Sequence, residues 1–240
     1  MPHKKLQKHL KKSSLTAKPG NGQIAGLPSD VAAIRKEIKA FFESFDDNKK
    51  RIGSRKWGVY AFYDYDGEPI YIGQTFEGLG SRIGRHLTNQ RTDAVAMNVL
   101  DPFEVAEICV WPLDLNDFSA EEQKEQLDRA EFTVFEKVIA ESTLGAVLNE
   151  KPPRSTPLIE LPKAYRKRII PDDIFPHRKH PDIRLARRAN TIANLARVIS
   201  ERKVSKGLRQ TLLTQARRLE LLAKDRLKHF PKEISESIDD

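Results

Sequence analysis

One cysteine, Cys109, is the only thiol in this 240-residue chain. That excludes a disulfide framework and a cysteine-based zinc cluster. Cys109 lies in the apolar run VAEICVW and reads as a buried strand residue, with a reducing cytoplasm as the expected setting. No stretch approaches the ~18 consecutive apolar residues of a membrane span. The N-terminus lacks the apolar region of a secretory signal. Acid is absent from the first twenty residues, which carry six lysines; residues 1–28 therefore read as a flexible basic arm. Over the whole chain Lys and Arg outnumber Asp and Glu by 42 to 34, for a net charge of +8. This balance favours a polyanionic partner, nucleic acid before membrane. There is no internal repeat.

The patterned segments begin with SDVAAIRKEIKAFFESF. Ile34, Ile38, Phe41 and Phe42 recur at helical spacing, which predicts a helix over about 29–45 with Ser29 and Asp30 as candidate caps. WGVYAFYDYDGEPIYIGQT is rich in aromatic and branched residues around Asp66-Gly67, a hairpin turn signal that predicts strands 57–63 and 69–73. GLGSRIGRHLTNQ reads as a glycine-rich turn followed by a helix capped by Ser81. FEVAEICVWPL reads as a third strand ended by Pro112. SAEEQKEQLDRAEFTVFEKVIAEST is a long helix opened by a Ser119/Glu122 capping box. From 151 to about 182 the chain is proline-rich, basic and without clean period, which predicts a linker or wrapping segment. Two amphipathic helices follow, over 184–202 and 206–229. Between 161 and 230 there are 19 Lys/Arg against 6 Asp/Glu, so the basic character belongs to the arm and to this extension. His177 and His180 in HRKHP have no partner cluster and read as surface residues.

Chemistry concentrates in one ordered series: Tyr60, Tyr71, Arg82, His86, a glutamate on the long helix, and Asn149. Taken singly, Tyr60 and Tyr71 are ordinary strand residues. Together the series holds what phosphodiester hydrolysis requires. A phenol near a cation can take a proton from water. A guanidinium fork offsets charge growing on phosphate oxygens. A carboxylate holds a hard divalent ion, and an amide fixes geometry without adding charge.

GVY, ten residues, YIG, then SRIGRH, a glutamate-bearing helix and LN together resemble the GIY-YIG nuclease family, over about residues 56–152. The Arg-x-x-x-His pair of Arg82 and His86 is similar to that family's type II restriction endonuclease branch. The resemblance implies an α/β (α+β) fold, a small three-stranded antiparallel sheet flanked by helices. Here that core would carry a preceding helix, within 29–152, and a basic helical extension over 153–240. It implies a metal-dependent DNA endonuclease using Mg²⁺ (or Mn²⁺) and no small-molecule cofactor. Tyr60, Tyr71, Arg82, His86, Glu131 and Asn149 would form the site. Relatives often place the metal glutamate about a dozen residues before the asparagine, a spacing closer to Glu136. Periodicity favours Glu131, which shares the apolar face of Leu127, Val134, Phe135 and Val138, whereas Glu136 lies about 140° away. Glu131 is preferred and Glu136 is the alternative. Gln74 stands near a position where many relatives have lysine. Gln74, Arg85, Arg187, Arg188, Arg217 and Arg218 are the expected DNA contacts. Double-stranded DNA is the expected substrate, and cutting both strands implies a homodimer. A repair, homing or phage-defence nuclease is an alternative; a DNA-binding protein with a spent core is a second.

Overall fold

A computed structural model describes residues 28–87 and 99–229. The expected basic arm up to residue 27 and the helix continuation past Leu87 lie outside the described residues.

The first helix, α1 (Ser29–Glu43), turns Ile34, Ile38, Phe41 and Phe42 toward the core. Neither Ser29 nor Asp30 caps it. Pro28 holds the N-cap position, and both expected caps fall inside the helix. Strands β1 (Trp57–Tyr63) and β2 (Pro69–Thr75) form the expected antiparallel hairpin. Gly67 at its tip has φ 77°, a left-handed conformation that glycine adopts without steric cost. The next helix, α2 (Leu79–Leu87), begins two residues before the expected cap Ser81. β3 (Glu107–Leu113) pairs with β1, and α3 (Ala120–Glu141) opens on the full Ser119/Glu122 capping box.

The sheet has four strands, in the order β2-β1-β3-β4. The added strand is β4 (Tyr165–Arg168), drawn from the segment expected to be a linker. Its sequence, YRKR, has no apolar alternation because it is a largely exposed edge strand, and charge on such an edge discourages further pairing. Arg166 pairs with Glu107 and stacks its guanidinium 3.9 Å from the Tyr63 ring centroid. Pro112 does not end β3 but sits within it, opposite Gly58. β4 pairs only with residues 107–110, so no neighbour beyond β3 needs the missing N–H of Pro112.

Alternate residues of the strands supply two cores. Tyr60, Phe62, Ile108 and Val110 pack on one face with α1, α2 and the C-terminal helices. Val59, Ala61, Ile72, Cys109 and Trp111 pack on the other against α3 through Leu127, Ala130, Val134 and Val138. Cys109 is buried as expected, and burial pushes its thiol up to about 12.

The C-terminal helices are α4 (Phe175–Lys179), α5 (Pro181–Glu201) and α6 (Lys206–Lys228). They are not a free basic extension: Leu195, Ile199 and Leu208 join the first core. Arg188 and Arg218, expected to contact DNA, are buried. With Arg184 they converge on Asp64 Oδ2 at 2.9, 2.6 and 3.2 Å respectively. The other oxygen of Asp64 accepts the N–H groups of Asp66 and Glu68 across the hairpin turn. Glu104 accepts from Arg184 and Arg188. Burying charge is costly unless it is paired and fully hydrogen-bonded, and here the arginines supply that pairing. Part of the apparent surface charge of the extension is thus internal. Arg187 is mostly buried beside Glu104, and only Arg217 of the four expected helix contacts is exposed. Among the described residues no helix is long and apolar enough to cross a membrane.

Candidate active site

β2 is an edge strand, and the residues of interest gather along that edge. Tyr60 stands opposite Gly73 in register, and Phe62 stands opposite Tyr71. A Cβ at Gly73 would lie 2.5 Å from the Tyr60 hydroxyl oxygen. The phenol therefore lies across the glycine, and any larger residue there would push it away. This is the physical reason for the tyrosine–glycine pairing of the motif.

The Tyr60 ring is fully buried, and its hydroxyl shares a 2.8 Å hydrogen bond with His86 Nε2. His86 is brought there by α2, whose Leu79 and Ile83 anchor the same helix in the core. The Tyr71 ring packs 5.2 Å from the His86 ring and 6.3 Å from that of Tyr60, centroid to centroid. Both tyrosines and His86 therefore share one aromatic cluster.

Arg82, one turn before His86, joins this cluster to α3. Burial works against its charged form, but Tyr60, Tyr71 and Glu77 outweigh burial and raise its pKa. Its side chain keeps 39% exposure, enough to meet a ligand. Its Nε is buried without a hydrogen-bond partner among the described residues. Arg85 is turned to Glu77, and that hydrogen bond holds the Glu77 carboxyl below its usual range.

Glu131 is half-buried on α3, and no hydrogen bond or ion pair holds its carboxylate among the described residues. Burial pushes its carboxyl up to about 7; Asp128 pushes the same way and Arg82 opposes. Such a group is stabilised by a cation. Glu136 is exposed on the far side of the helix. Among the described residues no three His, Cys, Asp or Glu side chains gather to cage a metal. A single unpaired carboxylate nevertheless fits Mg²⁺, which keeps most of its waters and takes one or two protein carboxylates. Glu131 is the residue that would hold it.

Asn149 closes the edge of β2. Its Nδ2 donates to the Ile72 carbonyl at 2.7 Å, and its Oδ1 accepts the Ile72 N–H at 3.0 Å. Leu148 N–H donates to Ile70 in the same ladder. Asn149 thus fixes the strand that carries Tyr71 and Gly73. Gln74 is turned inward: its Nε2 donates to Asp128 at 2.8 Å, while its Oε1 is buried without a partner among the described residues. The Gln74–Asp128 pair is a feature that the sequence did not reveal, because the two lie 54 residues apart. His177 and His180 stay on α4 and its C-cap, away from this site.

No curated protein and no solved structure matches the chain. Residues 56–127 match the family model described as the GIY-YIG catalytic domain. The match ends at Leu127, one turn before Glu131, so Glu131 and Asn149 rest on the geometry above. Over that span the hairpin, its arginine–histidine helix and the start of α3 are similar to the GIY-YIG catalytic domain, which supports a nuclease core there.

Proposed function

We propose that the chain is a divalent-metal-dependent DNA endonuclease of restriction type. The observation that carries this reading is the position of Arg82, between the hydrogen-bonded Tyr60–His86 pair and the unpaired carboxylate of Glu131.

In this mechanism Tyr60 takes a proton from the attacking water as its own hydroxyl proton passes to His86 Nε2, which requires that nitrogen to begin unprotonated. The water oxygen bonds to phosphorus, the bond to the leaving oxygen breaks, and that oxygen is protonated from solvent. Arg82 holds the non-bridging oxygens as their charge grows. Tyr71 orients the phosphate from the half-buried side of the cluster, and Asn149 keeps β2 in place. Bound at Glu131, Mg²⁺ would offset negative charge on the phosphate. One such site cuts one strand, so duplex cleavage calls for a homodimer. A restriction enzyme, rather than a repair, homing or phage-defence nuclease, is favoured by His86 standing beside Arg82. The alternative of a spent core binding DNA through its tail is weakened by the burial of Arg184, Arg188 and Arg218.

Plasmid nicking tests the reading. Supercoiled DNA should be cut with Mg²⁺ and left intact with EDTA, and Arg82→Ala should abolish cutting. Absence of cutting by the intact protein, with salt-dependent DNA binding retained, would remove the enzyme reading.

A further inference from the structure

Beside the proposed site lies a cleft of about 520 Å³, between the end of β2 and the start of α3. Its walls include Trp57, Phe76 and Leu127, Lys56 and Lys124 contribute to its lining, and Arg82 is shared with the site. Its volume falls within the ~300–1,000 Å³ usual for small-ligand pockets. Phe76 is 71% exposed, a large aromatic ring presented to solvent. The acids that line the cleft already have partners, Asp128 with Gln74 and Glu77 with Arg85 and Arg82. Two buried polar atoms of lining residues lack one among the described residues: Gln74 Oε1, an acceptor, and Arg82 Nε, a donor.

We propose that this cleft is a subsite for one unpaired nucleotide flanking the phosphate at Arg82, with Phe76 as its stacking platform. The inference rests on the nuclease reading for its substrate. A phosphate held at Arg82 places its neighbouring sugar and base at the cleft mouth, and the apolar wall suits a base while the lysines suit the backbone. A base stacked and paired in a duplex cannot enter such a slot, so the nucleotide beside the cut must be single-stranded or extruded. Stacking on an aromatic ring discriminates poorly among bases, because every base has a π-face.

Fluorescence anisotropy of the full chain in EDTA tests this without cleavage. The probes are labelled oligo(dT) and an abasic strand of equal length, which carries the same phosphates and no bases. The intact protein should bind oligo(dT) roughly tenfold more tightly than the abasic strand, the scale of one base–aromatic stack. Phe76→Ala should erase that difference and leave the abasic strand unaffected, while Phe76→Trp should keep it. Phe45→Ala, at another exposed aromatic, should change nothing. Equal binding of the two strands by the intact protein assigns the cleft to another occupant and overturns the proposal, as does an unchanged preference in Phe76→Ala. A Phe76-dependent base preference in a protein that never nicks with Mg²⁺ would remove the nuclease reading and leave the subsite. Nicking without base preference would remove the subsite alone.

Discussion

Glu131→Gln isolates the electrostatic cost of the proposed site. The Glu131 carboxyl is raised from an ordinary value of 4.5 to about 7, first by burial and then by Asp128. Its charged form is therefore disfavoured by the fold. Below about pH 4.5 the carboxyl is protonated both folded and unfolded, and it costs nothing. Between about 4.5 and 7 the unfolded chain ionises while the folded one holds its proton, so stability falls as pH rises, by ~1.4 kcal/mol per pH unit. Above 7 the loss levels off at roughly 3 kcal/mol. Glu131→Gln removes this loss. In metal-free buffer the variant should match the parent near pH 4.5 and exceed it above pH 7.5 by roughly 6–12 °C in Tm. Mg²⁺ should narrow the gap above pH 7, because it binds the ionised carboxylate of the parent and not the amide. The assay is urea and thermal unfolding of both proteins across pH, with Glu136→Gln as the exposed control. A difference between parent and Glu131→Gln that is flat with pH, or a pH-dependent gain in Glu136→Gln instead, would refute the assignment. Cleavage by Glu131→Gln should be lost even where its stability rises.

Other perturbations address the remaining parts of the structure. Gly73→Ala places a methyl 2.5 Å from the Tyr60 hydroxyl; nicking should fall at least 100-fold, about the share of a positioned general base, with the helical circular dichroism retained. Asp64→Ala strands Arg184, Arg188 and Arg218 without their common acceptor; urea unfolding should show a loss of about 3–5 kcal/mol. Asn149→Leu removes both hydrogen bonds to Ile72 and should cost about 1–3 kcal/mol in the same measurement. Arg217→Ala should lower the salt dependence of DNA binding by about one ion, read as the slope of log affinity against log salt. Arg218→Ala should instead lower stability, since its guanidinium is inside the protein.

The local code of the chain was legible wherever neighbours in sequence decide structure. Asp66-Gly67 marks its hairpin because glycine takes the left-handed turn. Ser119 and Glu122 mark the start of α3 because each satisfies a backbone donor of the other. The face of Glu131 followed from helical period alone: an acid among Leu127, Val134 and Val138 stands out, and the structure leaves it half-buried there while Glu136 is exposed. The order of Tyr60, Tyr71, Arg82 and His86 carried the resemblance that the family match supports for residues 56–127.

Tertiary structure decided the rest. YRKR has no strand period, and becomes β4 only because β3 offers an unpaired edge with Glu107 opposite Arg168. Arg188 and Arg218 look like DNA contacts in a basic segment; Asp64, more than a hundred residues earlier, draws them and Arg184 inside, and no local pattern records a partner that distant. Gly73 is required by the phenol of Tyr60 across the hairpin, and the Gln74–Asp128 pair by the packing of α3 on β2. Sequence thus determined which groups are candidates for the chemistry and on which local faces they sit. Burial and long-range pairing decided which charges remain available to a substrate, because the energy of a charge depends on what surrounds it in space.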